Sequence, residues 1–175
     1  ALVPLAWFFL HDYQKARLLT FFNPERDPLG AGYHIIQSMI AIGSGGLFGK
    51  GFLKGTQTQL KFLPEQQTDF VFSVFAEEWG LAGGLVLLIL FLLLILWGFK
   101  IAQRARDLSG TLIAFGVTVM IFSEVFINIG MVTGILPVVG IPLPFFSYGG
   151  SSMVVLLTGV GLMLNISTRR FILHS

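Results

Sequence analysis

Asp69, in the stretch LPEQQTDF, stands about ten residues ahead of a long uncharged run, with Glu65 four residues before it. With Pro64 at the first position of a helix, Glu65, Asp69 and Ser73 would share one face. Phe70, Val71 and Phe72 would then screen the Asp69 carboxylate from water on one side, a setting suited to a general base. The competing assignment is architectural: Thr68 or Asp69 caps the helix that enters the apolar run.

Other groups invite chemistry. Glu77 and Glu78 immediately precede Trp79, and read either as interfacial carboxylates facing water or as a contact to a substrate head group or partner. Glu124 is the single charge between Leu108 and Thr168. An ionisable group inside a membrane span marks either a function or a polar clamp between helices. Asn128, one turn later, is its expected hydrogen-bond partner. Residues 43–51, GSGGLFGKG, contain Gly49–Lys50 but have Ser44 and Gly51 where a phosphate loop needs Gly and Ser or Thr. They are expected to form a flexible bend. His11, His34 and His174 lack metal-ligand spacing, so no metal site is expected. SYGGSS is not a nucleophile elbow. The absence of cysteine excludes thiolate chemistry and disulfides.

These groups must be positioned by a chain of 175 residues that is 54% hydrophobic and 11% charged, with mean hydropathy +0.82. Soluble domains average about 25% charged residues. So few charges cannot solubilise 18 Phe and the long Leu/Ile/Val runs, which puts the chain in the membrane class. The net charge of +2 comes from scattered residues and implies no nucleic-acid partner. The chain opens on Ala1 without a signal peptide, and is expected to be a piece of a longer protein.

The organisation follows from the apolar runs. Residues 1–10 read as the end of a truncated transmembrane helix, and residues 11–78 as a large extracytoplasmic loop. Residues 79–99 are uncharged, carry Trp79 and Trp97 near their ends, and are long enough as a helix to cross about 30 Å of hydrocarbon. A cytoplasmic loop (100–110), a second span (111–134), an extracytoplasmic Pro/Gly-rich connection (135–150), a third span (151–168) and a cytoplasmic tail (169–175) follow. Lys100, Arg104, Arg106, Arg169 and Arg170 set the orientation, since basic residues of short loops stay in the cytoplasm. Within the large loop, YHIIQSMIAIG is apolar but too short to span, and suggests an interfacial or re-entrant helix. The irregular backbone from Leu136 to Ser152 is expected to wall a cavity.

Two of these stretches resemble the signatures of the SEDS family (shape, elongation, division and sporulation proteins: RodA, FtsW and SpoVE). Residues 128–152, NIGMVTGILPVVGIPLPFFSYGGSS, fit its pattern at Asn128, Gly134, Pro137, Gly140, Ser147, Tyr148, Gly149, Gly150 and Ser151. LPEQQTDFVFSVFAEEWGLAGG resembles the second hallmark. The residues around both motifs are closer to the elongation-type, RodA-like members than to the division type. The resemblance implies an all-α, polytopic inner-membrane protein, with this chain as the C-terminal part of a roughly ten-helix fold.

It also implies an activity: polymerisation of lipid II into glycan strands on the outer face of the bacterial inner membrane, with undecaprenyl diphosphate released. The implied partners are undecaprenyl-linked glycan, a class B penicillin-binding protein, other membrane proteins of the elongation complex, and the bilayer. By the same resemblance Asp69 is the catalytic residue. Lys61 is the nearest basic group for the departing diphosphate, where a divalent cation is the alternative clamp; no other cofactor is expected. Glu65 and Thr68 would orient Asp69 or bind a sugar, and Ser147, Ser151 and Ser152 would line the lipid cavity. The competing readings are a lipid II flippase, leaning on Glu124, and a non-catalytic scaffold for a penicillin-binding protein. The segment on its own is expected to be inactive.

Overall fold

The computed structural model describes residue 15, residues 31–55 and residues 68–169, and these form helices and loops without a strand. The helices are α1 (Ala31–Ser44), α2 (Val71–Arg104), α3 (Leu108–Val132) and α4 (Gly150–Arg169). The last three are long and apolar enough to cross a membrane. Their outward faces carry large apolar side chains, as lipid-facing surfaces must, and α2 packs on α3 and α3 on α4.

Small residues allow the helices to approach closely. Gly98 of α2 lies against Thr118 of α3, and Gly159 of α4 against Val117. Between them runs an apolar core that includes Leu87, Phe91, Ile121, Val125, Met131 and Leu156. Asp107 starts α3 as its N-cap, its Oδ2 accepting from Gly110 N–H at 3.0 Å, so the helix begins before the apolar run does. Short α1 packs against α2 and the end of α3, where Ser38 Oγ donates to Val132 O at 2.8 Å.

At Gly80 the 34-residue α2 is broken: φ 66° and ψ −165° lie in a region open essentially to glycine alone. A break within a helix leaves main-chain groups to be satisfied by other protein. The 45–51 loop does this. Leu81 and Ala82 N–H donate to Gly46 and Leu47 carbonyls at 2.9 and 3.0 Å. In return Lys50 and Gly51 N–H donate to Glu77 and Glu78 carbonyls, both at 3.0 Å. The approach is so close that a methyl on Gly49 would collide with the main chain at Glu78.

Two expectations are thereby corrected. GSGGLFGKG is not a flexible bend but a plug hydrogen-bonded into the α2 break. Nor do Glu77 and Glu78 face water. Glu77 is fully buried and pairs with Lys50 Nζ at 2.8 Å. Glu78 is also buried, its Oε1 accepting from Leu53 N–H at 3.2 Å. The Lys50 ammonium and the docked loop supply the compensation that buried carboxylates require.

Candidate active site

Asp69 lies in the turn 68–70 that leads into α2, and is half-buried. The residue after it, Phe70, is the N-cap position of α2, where no side-chain cap bond forms. Helix α2 therefore begins at Val71. This overturns the capping assignment for Thr68 and Asp69, and removes Asp69 from a helix face shared with Ser73. Phe70 anchors the turn: its side chain is 1% exposed, within the apolar core. Its carbonyl accepts from Ser73 Oγ at 2.6 Å. A neighbour of Asp69 is thus fixed in the protein while its own carboxylate remains partly open.

The other wall comes from the connection between α3 and α4. After α3 the chain turns at Gly134, with φ 73°, and folds back over the bundle. Leu143 and Pro144 are buried, and Phe146 sets its ring 5.8 Å from that of Phe75 on α2. Gly140 passes beside Asp69, so close that a methyl there would stand 3.3 Å from Oδ2. Asn128 joins the two walls. Its Nδ2 donates to Asp69 O at 2.9 Å and to Ile141 O at 2.8 Å. The expected Asn128–Glu124 bond is therefore absent: both amide donors are engaged elsewhere, and Glu124 Oε2 is buried without a partner among the described residues.

The structure thus brings Asp69 together with residues 140–141 of the connection. These elements are separated by about seventy residues but belong to the two long stretches LPEQQTDF and NIGMVTGILPVVGIPLPFFSYGGSS. The family model described as a cell cycle protein, FtsW/RodA/SpoVE, matches residues 1–171. The chain belongs to the FtsW/RodA/SpoVE family. It is 60% identical to the peptidoglycan glycosyltransferase MrdB of Escherichia coli K12 over 171 residues, covering 97% of this chain and 46% of that protein. To the peptidoglycan glycosyltransferase RodA of Treponema pallidum it is 51% identical, covering 92% of this chain and 37% of the relative. A solved peptidoglycan synthase complex contains a chain that superposes with a TM-score of 0.75 at 37% identity, covering 98% of this chain and 46% of that one. The chain therefore spans less than half the length of these relatives.

Within this SEDS chain the other expected site residues are distributed as follows. Lys61 and Glu65 lie outside the described residues. Thr68 is half-buried beside Asp69 in the turn. Ser147 lines a recess of about 450 Å³ with Val71, Val74, Phe145, Phe146, Tyr148 and Met153. Its hydroxyl accepts from Leu143 N–H at 2.7 Å and so holds the turn of the connection. Ser151 and Ser152 stand in the first turn of α4, Ser151 exposed and Ser152 half-buried. Among the described residues no group of three or more His, Asp or Glu could hold a metal ion.

One histidine dismissed on spacing comes close to the site. His34 of α1 packs its ring 5.9 Å from Phe70, next in sequence to Asp69, and its Nδ1 is buried without a partner among the described residues. Thirty-five residues separate His34 from Asp69, so no local pattern could have linked them.

Proposed function

We propose that this protein is a peptidoglycan glycosyltransferase of the bacterial inner membrane that polymerises lipid II during cell elongation, with Asp69 as its general base. The observation that carries this reading is the setting of Asp69: a half-buried carboxylate in an anchored turn, held against the connection and not used as a helix cap. In the reaction the 4-hydroxyl oxygen of one sugar attacks the anomeric carbon of another. The new C–O bond forms as the bond to diphosphate breaks, and the hydroxyl proton passes to Asp69. A base within hydrogen-bond reach accelerates such a step by roughly 10² to 10⁴.

The leaving undecaprenyl diphosphate carries negative charge that a cation must offset. Lys61 or a divalent cation fills that role in this reading. Thr68, beside Asp69, would orient the carboxylate or hold a sugar hydroxyl, with Glu65 as a second candidate. The proposed partner is a class B penicillin-binding protein, which cross-links the strands, within a larger elongation complex. The likeness to a chain of a peptidoglycan synthase complex supports that assignment.

The test is a gel assay of labelled lipid II with the full-length protein and its Asp69→Asn variant. Wild type is expected to make glycan strands and Asp69→Asn none, with equal thermal midpoints in detergent. Equal polymerisation by the two would remove Asp69 from the chemistry. A flippase instead predicts lipid II transport without polymer, abolished by Glu124→Gln and indifferent to Asp69→Asn.

A further inference from the structure

Asn128 ties together two stretches of main chain that lie 59 and 13 residues from it in sequence, at Asp69 and at Ile141. Its side chain is fully buried, and its Oδ1 has no partner among the described residues. An unpaired buried oxygen is destabilising by the desolvation it suffers. An apolar side chain would avoid that penalty but would leave the Asp69 and Ile141 carbonyls without these donors. The amide is suited instead to a task an apolar group cannot do, which is to aim two N–H donors at two specific carbonyls.

The consequence falls on the Asp69 carboxylate. Asp69 O is gripped by Asn128 while Phe70 is buried in the core, so the main chain is held on both sides of the Asp69–Phe70 peptide. Ile141 O is gripped by the same amide, and Gly140, one residue earlier, passes beside Oδ2. Gly140 is exposed, has φ 78°, and leaves open the space a methyl would occupy 3.3 Å from Oδ2.

We propose that Asn128 is a positioning residue for Asp69: one buried amide sets the register of the Asp69 turn against residues 140–141, and Gly140 leaves room for the carboxylate. This rests on the assignment of Asp69 as the base. It concerns geometry and not substrate affinity, so it separates kcat from KM. A shift of the base by about 1 Å lowers turnover by roughly 10²-fold.

The experiment is steady-state lipid II polymerisation by the full-length protein carrying Asn128→Ala, Ser38→Ala or Asp69→Asn, with thermal midpoints measured in the same detergent. Ser38→Ala is the structural control, since it deletes another buried bond, at 2.8 Å to Val132 O, that does not hold the Asp69 turn. Asn128→Ala is expected to lower kcat by roughly 10²-fold with KM for lipid II within about twofold, while Ser38→Ala keeps kcat. Wild-type kcat in Asn128→Ala, or a loss that Ser38→Ala matches, overturns the proposal. If Asn128→Ala does not fold, Gly140→Ala decides: lowered kcat at constant KM supports it, and unchanged kcat sinks it. Asp69→Asn separates the two levels of inference. Surviving polymerisation in that variant defeats the general-base assignment itself. Its loss there, with full activity in Asn128→Ala, defeats only the positioning role.

Discussion

Two regions of this molecule bring irregular backbone against a helix bundle, and they are satisfied very differently. At the Gly80 break, four main-chain hydrogen bonds and a buried ion pair close the gap between α2 and the 45–51 plug. At the Asp69 turn, the Asn128 amide makes two bonds, its own oxygen has no partner among the described residues, and the Asp69 carboxylate is half-buried. The first region is saturated, and its disruption should register as lost stability. The second keeps a buried amide oxygen without a partner among the described residues, and its disruption should register as lost turnover. Buried polar groups are kept either because they are fully paired or because something else needs them.

The comparison is open to attack from its saturated side first. Lys50→Met takes the Lys50 ammonium from the fully buried Glu77 carboxylate, and breaking a buried pair in this way is destabilising by up to about 3–5 kcal/mol. We expect a much lower thermal midpoint in detergent, with kcat per folded molecule near wild type. A fall in kcat at unchanged stability would merge the two regions. Gly80→Ala comes next. It forces a side chain into a glycine-only conformation, a strain of about 1–3 kcal/mol, and pushes a methyl against Leu47 and Gly49. Its expected signature is faster proteolysis at the 45–51 plug, again without a specific kcat effect; undisturbed proteolysis would mean the plug is held from elsewhere. The smallest effect sharpens the baseline. Asp107→Ala removes the N-cap of α3, far in sequence from both regions, for about 1 kcal/mol. A midpoint shift of a few degrees with full activity is expected, and any larger loss of activity would show that stability and turnover cannot be separated by these variants.

Legibility in the sequence divided along the same line. The three apolar runs announced helices able to cross a membrane, because a bilayer imposes length and hydropathy residue by residue. The two long motifs pointed to the family in the same direct way. What could not be read was pairing across sequence. Glu77 and Glu78, beside Trp79, read as facing either water or a head group or partner, because their intramolecular partners Lys50 and Leu53 lie 27 and 25 residues earlier. The role of the 45–51 plug is written in main-chain bonds, which leave little trace in side-chain pattern beyond the need for glycine. Asn128 was matched to Glu124 by helical spacing, whereas its donors reach Asp69 and Ile141. Of the candidate site, Asp69, Thr68 and the walling role of the 136–152 connection were legible; the placement of Gly140 against Asp69, and of His34 against Phe70, was not.

The break at Gly80 also makes a gauge of height. Trp79 marks the water edge of the apolar run, and the nine residues from Val71 to Trp79 can raise the chain by at most about 14 Å above it. The polar region on each side of a bilayer is about 5–8 Å deep. Asp69, just beyond that short segment, therefore cannot lie far from the level of Trp79. A soluble sugar would gain nothing from such an altitude. In the proposed reaction, a sugar tied by diphosphate to a membrane-buried tail would meet Asp69 without its tail leaving the bilayer.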